Sequence, residues 1–229
     1  MKLLFHYNPG LQHQVDHAHA FADCGFDITP TPDGDADVHV VSGPYFALRQ
    51  WRAHPHVLVI DRAWWGDPDC ISIGWLQPDG TRKFAMCGTE PRPQPSVMPW
   101  KTRECSAIIL ADYKQDIDEI DRLASQRFVH VRIRRHPAEE QPIHKLHDML
   151  ILSDVCIGHS GSAIFEAIVL GVPTICTDPQ NVCAPVCAGN ILDDELWRGN
   201  RAAWLHAMSY RQFNLNEIDT AWELLKDAL

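Results

Sequence analysis

The stretch DVCIGHSGSAIFEAIVLGVPTICTD (154–178) decides how the chain folds. DVCIG (154–158) is a short apolar run closed by a glycine, the pattern of a buried strand. His159, Ser160, Gly161 and Ser162 follow as a small-residue turn. SAIFEAIVLG (162–171) then reads as a helix stopped by Gly171, and VPTICTD (172–178) returns to strand. A strand, a helix and a second strand with no hairpin turn between them make a parallel βαβ unit. The turn suits an anion. The first amides of a helix lack internal partners, and the peptide dipoles place positive charge there. Gly161 and Ala163 let a phosphate approach the backbone, and the hydroxyls of Ser160 and Ser162 add donors. Glu166 lies one helical turn beyond Ser162, placed to accept from a ribose diol. Ser162 as an ordinary N-cap is the structural alternative, although Glu166 comes one position too late for a capping box.

Upstream, the same alternation predicts a strand over SAIILADY (106–113) and a helix over IDEIDRLASQ (117–126). FVHVRIR (128–134) is a strand, HPAEEQP (136–142) a loop, and IHKLHDMLILS (143–153) a helix. On a strand, Arg132 and Arg134 share one face near the carboxyl end, with Arg135 and His136 just beyond. Such guanidinium groups clamp diphosphates bidentately, and a solvated charged face is the alternative. Lys101 and Arg103 are candidates for the same site.

The N-terminal half repeats the pattern. KLLFHY is a strand, Asn8-Pro9-Gly10 a turn, and residues 12–24 a helix stopped by Gly25. DVHVVSG (37–43) and VLVID (57–61) are strands, with PYFALRQWR (44–52) a helix between them. CISIGWL and RKFAM flank Pro78-Asp79-Gly80 and predict a hairpin. GTEPRPQPSVMPW (88–100), with four prolines, can continue neither helix nor central strand. The tail from 194 to 229 reads as helical, with Trp197, Trp204 and Trp222 as packing anchors. We therefore expect an α/β chain of two small Rossmann-like halves facing a cleft: residues 1–90, a Pro-rich linker over 91–101, and residues 102–229 with the C-terminal helices.

Composition narrows the function classes. Thirty acidic against 20 basic residues give a formal charge of −10, which argues against a general nucleic-acid coat but not against a local basic groove. No apolar run approaches the roughly 18 residues that span a bilayer, and MKLLFHYNPG is too weak for a signal peptide. The eight cysteines form no CxxC pair, and Cys183 and Cys187 lack a partner pair at a zinc-like spacing. Free thiols in a cytoplasmic protein, a virus-encoded one in its host included, are the expectation, with no metal site and no membrane partner.

The arrangement of His159-Ser-Gly-Ser, a helix carrying Glu166, then Gly171-Val-Pro173 and a strand ending at Asp178 resembles the donor-binding half of GT-B glycosyltransferases. Polysaccharide-type members and the related nucleotide-sugar epimerases are the nearest in pattern. RIRRHP (132–137) resembles the basic loop one βα unit earlier in such proteins. The resemblance implies that 102–229 binds a nucleotide-diphosphate sugar, most simply a UDP-sugar, with no cofactor required, and that 1–90 receives the acceptor. His159, Ser160, Gly161, Ser162 and Ala163 would hold the diphosphate and Glu166 the ribose, with Arg132, Arg134, Arg135 and His136 facing the donor. Gly158 stands where many members carry a second glutamate, which leaves the sugar contacts open. The segment RAAWLHAMSYRQFNLNEIDTAWELL is similar to the tails of phage-encoded members. Some of these decorate hydroxymethylated pyrimidines in DNA, so modified DNA joins glycans and small molecules as an acceptor.

A transferase of this kind needs a base for the acceptor hydroxyl. His13, Asp16 and Asp61 stand at the carboxyl ends of the first-half strands, Asp61 opening the aromatic loop DRAWWGD. Their structural alternatives are a surface histidine and a carboxylate paired with Arg62. Three other functions compete. GHSGS (158–162) approximates a serine-hydrolase elbow but has Ser162 where steric room requires glycine. An epimerase would use the donor half without an acceptor, and a non-catalytic nucleotide-binding module would use it without turnover. A dehydrogenase lacks its GxGxxG and an ATPase its P-loop.

Overall fold

The computed structural model describes residues 2–29, 36–43, 54–65, 70–87, 90–111, 116–136, 144–159 and 163–227. The helix expected over 44–52, most of the loop 136–142, and Ser160, Gly161 and Ser162 lie outside the described residues. The chain divides into two units, one formed by Met1–Gln94 with Leu205–Leu229, the other by Pro95–Trp204.

In the first unit, β1 (Leu3–His6) is entirely buried and leads through the Asn8-Pro9-Gly10 turn into α1 (Gln12–Asp23). Asn8 Oδ1 accepts from Gly10 N at 2.9 Å and Asn8 O accepts from Leu11 N at 3.0 Å, which closes the turn. After α1 come β2 (Ile28–Thr29), β3 (Val38–Ser42) and β4 (Val57–Arg62). These strands are parallel in the order β2-β1-β3-β4. An antiparallel hairpin follows, β5 (Cys70–Leu76) and β6 (Arg82–Phe84), with β5 paired to β4. Leu3, Phe5, Val40, Leu58, Ile60, Ile71 and Ile73 bury one face of this sheet against Ala18 and Phe21 of α1.

The second unit holds β7 (Ser106–Leu110), α2 (Ile117–Arg127), β8 (His130–Arg134), α3 (Leu146–Ile151), β9 (Val155–Gly158), α4 (Ala163–Val169) and β10 (Thr174–Cys176). All four strands are parallel, in the order β10-β9-β7-β8. Ala107, Ile109, Val155 and Ile157 pack toward Ala124 of α2, while Ile108 and Cys156 pack toward Leu150 of α3 and Ala167 of α4. Burial on both faces explains the unbroken apolar runs of the sequence. Asp116 Oδ1 accepts from Glu119 N at 3.1 Å and starts α2. The helix α4 ends in a left-handed turn at Gly171, where a Cβ would meet Pro99 O at 2.0 Å, so both its conformation and its surroundings require glycine.

Two expectations need correction. Residues 205–229 belong with the first unit and not with 102–204. Within α5 (Arg201–Ser209) the chain leaves the second unit, then β11 (Phe213–Asn214) pairs with β5. α6 (Ile218–Lys226) adds Ile218, Ala221, Trp222 and Leu225, one helical stripe, to the first core. Trp204 and Trp222 are packing anchors as expected, but Trp197 is 59% exposed. Among the described residues no helix is long and apolar enough to cross a membrane.

Candidate active site

Each unit places its first strand between its second and third. Ligands of open parallel sheets bind beyond the carboxyl ends of the strands at that reversal of order. In the second unit the reversal lies between β7 and β9, whose carboxyl ends are Leu110 and Gly158. The turn singled out in the sequence follows Gly158. A Cβ there would lie 2.7 Å from Ile164 Cγ1, so the start of α4 approaches the strand more closely than any other residue would permit. His159 Nδ1 lies 3.0 Å from Thr177 Oγ1, and Asn181 Nδ2 donates to His159 O at 2.9 Å. His159 is therefore tethered to the segment after β10.

Arg132 and Arg134 share a face of the edge strand β8, opposite Ile108 and Leu110 of β7. This is the face covered by α3 and α4. Arg134 Nε is buried without a hydrogen-bond partner among the described residues, and Arg132 is exposed. Arg135 and His136 extend past the strand end, both exposed. Glu166 lies in the first turn of α4, 39% exposed, with Oε1 3.3 Å from His147 Nδ1 of α3. Ala163 is the first residue of α4. Lys101 stands apart from these groups: its Nζ donates to Leu150 O (3.1 Å), Ile151 O (2.7 Å) and Ser153 O (2.6 Å), capping α3. Arg103 is exposed, 3.9 Å from Asp154.

The first unit gathers its candidates at the matching edge. Asp61 is the penultimate residue of β4, with Oδ1 accepting from Arg62 N at 2.9 Å. Burial raises its carboxyl above the ordinary range, while Arg82, Arg62 and His13 pull it back. Burial, helped by Arg62, lowers His13, and Asp61 and Asp16 oppose the shift. His13 is thus within electrostatic reach of both Asp61 and Asp16. Asp16 itself is exposed and accepts from Gln12 Nε2 at 2.8 Å.

Sequence reasoning passed over His17 and Arg82. His17 follows His13 by one helical turn, its ring edge-on at 5.8 Å, with Nδ1 3.4 Å from Ser42 Oγ at the end of β3. Burial drives its pKa down to about 4, so it is neutral near pH 7. The i, i+4 spacing of the two histidines was a readable signal. Arg82 reaches Asp61 from the hairpin, and no local pattern announces that contact. Among the described residues no cluster of three or more His, Cys, Asp or Glu side chains is placed to hold a metal. The cysteines are free thiols, with Cys156, Cys176, Cys183 and Cys187 buried.

No family model and no curated protein sequence matches this chain. A solved structure does: KpsC of Thermosulfurimonas dismutans, a beta Kdo 2,7 transferase, with a TM-score of 0.56 and 11% sequence identity over 98% of this chain and 99% of that one. Over nearly its whole length the chain has the α/β, Rossmann-like architecture of a glycosyltransferase fold.

Proposed function

We propose that this chain transfers a glycosyl group from a nucleotide-sugar donor to a hydroxyl acceptor. The carrying observation is the strand order of the second unit, in which β9 ends at Gly158 beside the sheet's reversal point and the next helix begins at Ala163; ligand phosphates meet helix amides at such points. The whole-length likeness to a solved glycosyltransferase supports the same reading. In this proposal His159, Ser160, Gly161, Ser162 and Ala163 seat the phosphates and Glu166 the ribose. Arg132, Arg134, Arg135 and His136 offset the donor's charge.

His13 or Asp61 takes the acceptor's proton as the hydroxyl oxygen attacks the anomeric carbon. The bond from that carbon to the donor phosphate breaks, and helix amides and guanidinium groups stabilise the departing nucleotide without a metal. A UDP-sugar is the first donor to try, and Kdo enters the panel from the neighbour's named activity. A hydroxymethylated pyrimidine in DNA is the finest acceptor proposal, beside glycans and small molecules.

The test is product analysis with labelled UDP-, GDP-, CMP- and TDP-sugars, with and without hydroxyl acceptors. Label moving only when an acceptor is present supports transfer. Conversion of a donor alone into its epimer, or binding with no turnover on any acceptor, overturns it.

A further inference from the structure

Three of the four side-chain nitrogen or oxygen atoms that are buried without a hydrogen-bond partner among the described residues belong to the first unit: Ser72 Oγ, Arg82 Nη1 and Arg211 Nε. Buried polar groups in native proteins are almost always satisfied, so each exception asks for an explanation. Phe84 links the two arginines. Arg82 Cζ lies 4.7 Å and Arg211 Cζ 5.2 Å from the centre of its ring, and Trp64 meets the same ring edge-on at 5.4 Å. Ser72 stands directly opposite Asp61 in the β4–β5 ladder, on the same face of the sheet. Gly74 stands opposite Phe84 in the β5–β6 ladder, two residues from Ser72 and so on that face as well.

The charges of this cluster do not balance. Asp61 is the carboxylate paired with Arg82, and Nη1 to Oδ2 is 4.0 Å, too long for a hydrogen bond. Among the described residues Arg211 has no carboxylate partner; its Nη1 donates to Met208 Sδ at 3.6 Å, a weak acceptor. Two partly buried guanidinium groups thus share one ring, and among the described residues only Arg82 has a carboxylate near it, 4.0 Å away. Burial works against the charge of both, and Arg82 Nη1 and Arg211 Nε lack compensating hydrogen bonds among the described residues. A bound oxyanion supplies what is absent, since it accepts from several N–H groups at once. Phe84 holds the two guanidinium groups side by side, and Trp64 adds an aromatic ring of the kind that packs against sugars. Arg211 is held here because the C-terminal segment returns to the first unit, where Gln212 Oε1 accepts from Trp64 N at 3.1 Å.

We propose that Arg82 and Arg211, with Phe84 and Trp64 beside them, bind a sugar that carries an oxyanion, a carboxylate or a phosphate ester. The proposal deepens the transferase reading by giving the acceptor a charge. Its binding step involves no donor. The test is an NMR titration of the full chain, without nucleotide sugar, using glucuronate, glucose 6-phosphate and glucose as probes. At least one charged sugar binds about tenfold or more tightly than glucose, and the tighter of the two names the oxyanion. Arg211→Gln removes that preference, Arg82→Gln does the same, and Arg122→Gln, an exposed residue of α2 in the second unit, leaves it intact. Glucose binding as well as both charged sugars overturns the proposal. So does an unchanged preference in Arg211→Gln, which decides the matter even if Arg82→Gln does not fold. Failure here leaves donor binding by the second unit untouched, and a failed donor panel leaves this site standing.

Discussion

Gly158→Ala probes the joint on which the second-unit site depends. A methyl group at this position would lie 2.7 Å from Ile164 Cγ1 and 2.9 Å from Cδ1, whereas carbon atoms rest about 3.5–4.0 Å apart. The first turn of α4 must therefore retreat or Ile164 must leave its rotamer, and Ile164 is 1% exposed. Overpacking of this kind costs about 1–3 kcal/mol. Ile164→Ala deletes both offending atoms and by itself opens a cavity worth about 2–5 kcal/mol. In the double variant the added methyl enters the vacated space, so the two costs fall short of additivity by about 1 kcal/mol or more. Urea unfolding of the four proteins, with the slope checked for constancy, measures the cycle. Gly158→Ala also weakens nucleotide-sugar binding, because the helix amides move with the first turn. Strictly additive costs, or a Gly158→Ala protein as stable as the parent, would refute the close approach of strand and helix.

Three further outcomes are expected. His17 is buried with its pKa at about 4, so the unfolded chain binds the extra proton; stability is complete above pH 6.5 and is lost as the pH falls toward 4. Between pH 7 and 4.5, His17→Gln should lose about 2 kcal/mol less than the parent, and equal losses in denaturant titrations would contradict the assignment. Lys101→Met removes the ammonium that bonds three carbonyl groups around the end of α3, of which Leu150 O keeps Ser153 N, and should cost about 1–3 kcal/mol by thermal or chemical denaturation, with nucleotide-sugar affinity unchanged; a neutral variant would show that the cap is idle. Asp61→Asn should keep donor affinity while lowering turnover, and normal turnover would remove Asp61 as the base and leave His13.

The sequence exposes the parallel strands and their order of appearance because each is a short apolar run between breakers, as in VLVID and DVCIG. It does not expose β2 or β11, each two residues long, since a period of two needs more residues to be visible. The return of the tail to the first unit is hidden for another reason. The stripe Ile218, Ala221, Trp222 and Leu225 announces an amphipathic helix but carries no address for the sheet it covers. Lys101 and Trp197 show the same limit from opposite sides: a cation turned out to cap a helix and an aromatic to face solvent, both decided by tertiary neighbours. At the candidate site, His159, Ala163 and Glu166 are legible as a turn and a helix start. The convergence of His13, Asp61 and Arg82 depends on long-range pairing of β4, β5 and β6 and was only partly visible in chain order.

The most direct measurement is calorimetric titration of the full chain with UDP-, GDP-, CMP- and TDP-sugars, the parent protein against Ser162→Asp. An aspartate is well tolerated just before the first residue of a helix, so the variant should fold while setting a negative charge against the donor phosphates. The account predicts saturable binding of a donor by the parent and a loss of about tenfold or more, roughly 1.4 kcal/mol, in the variant. Binding of no donor at all, or equal affinity in the two proteins, would contradict a phosphate seat after Gly158.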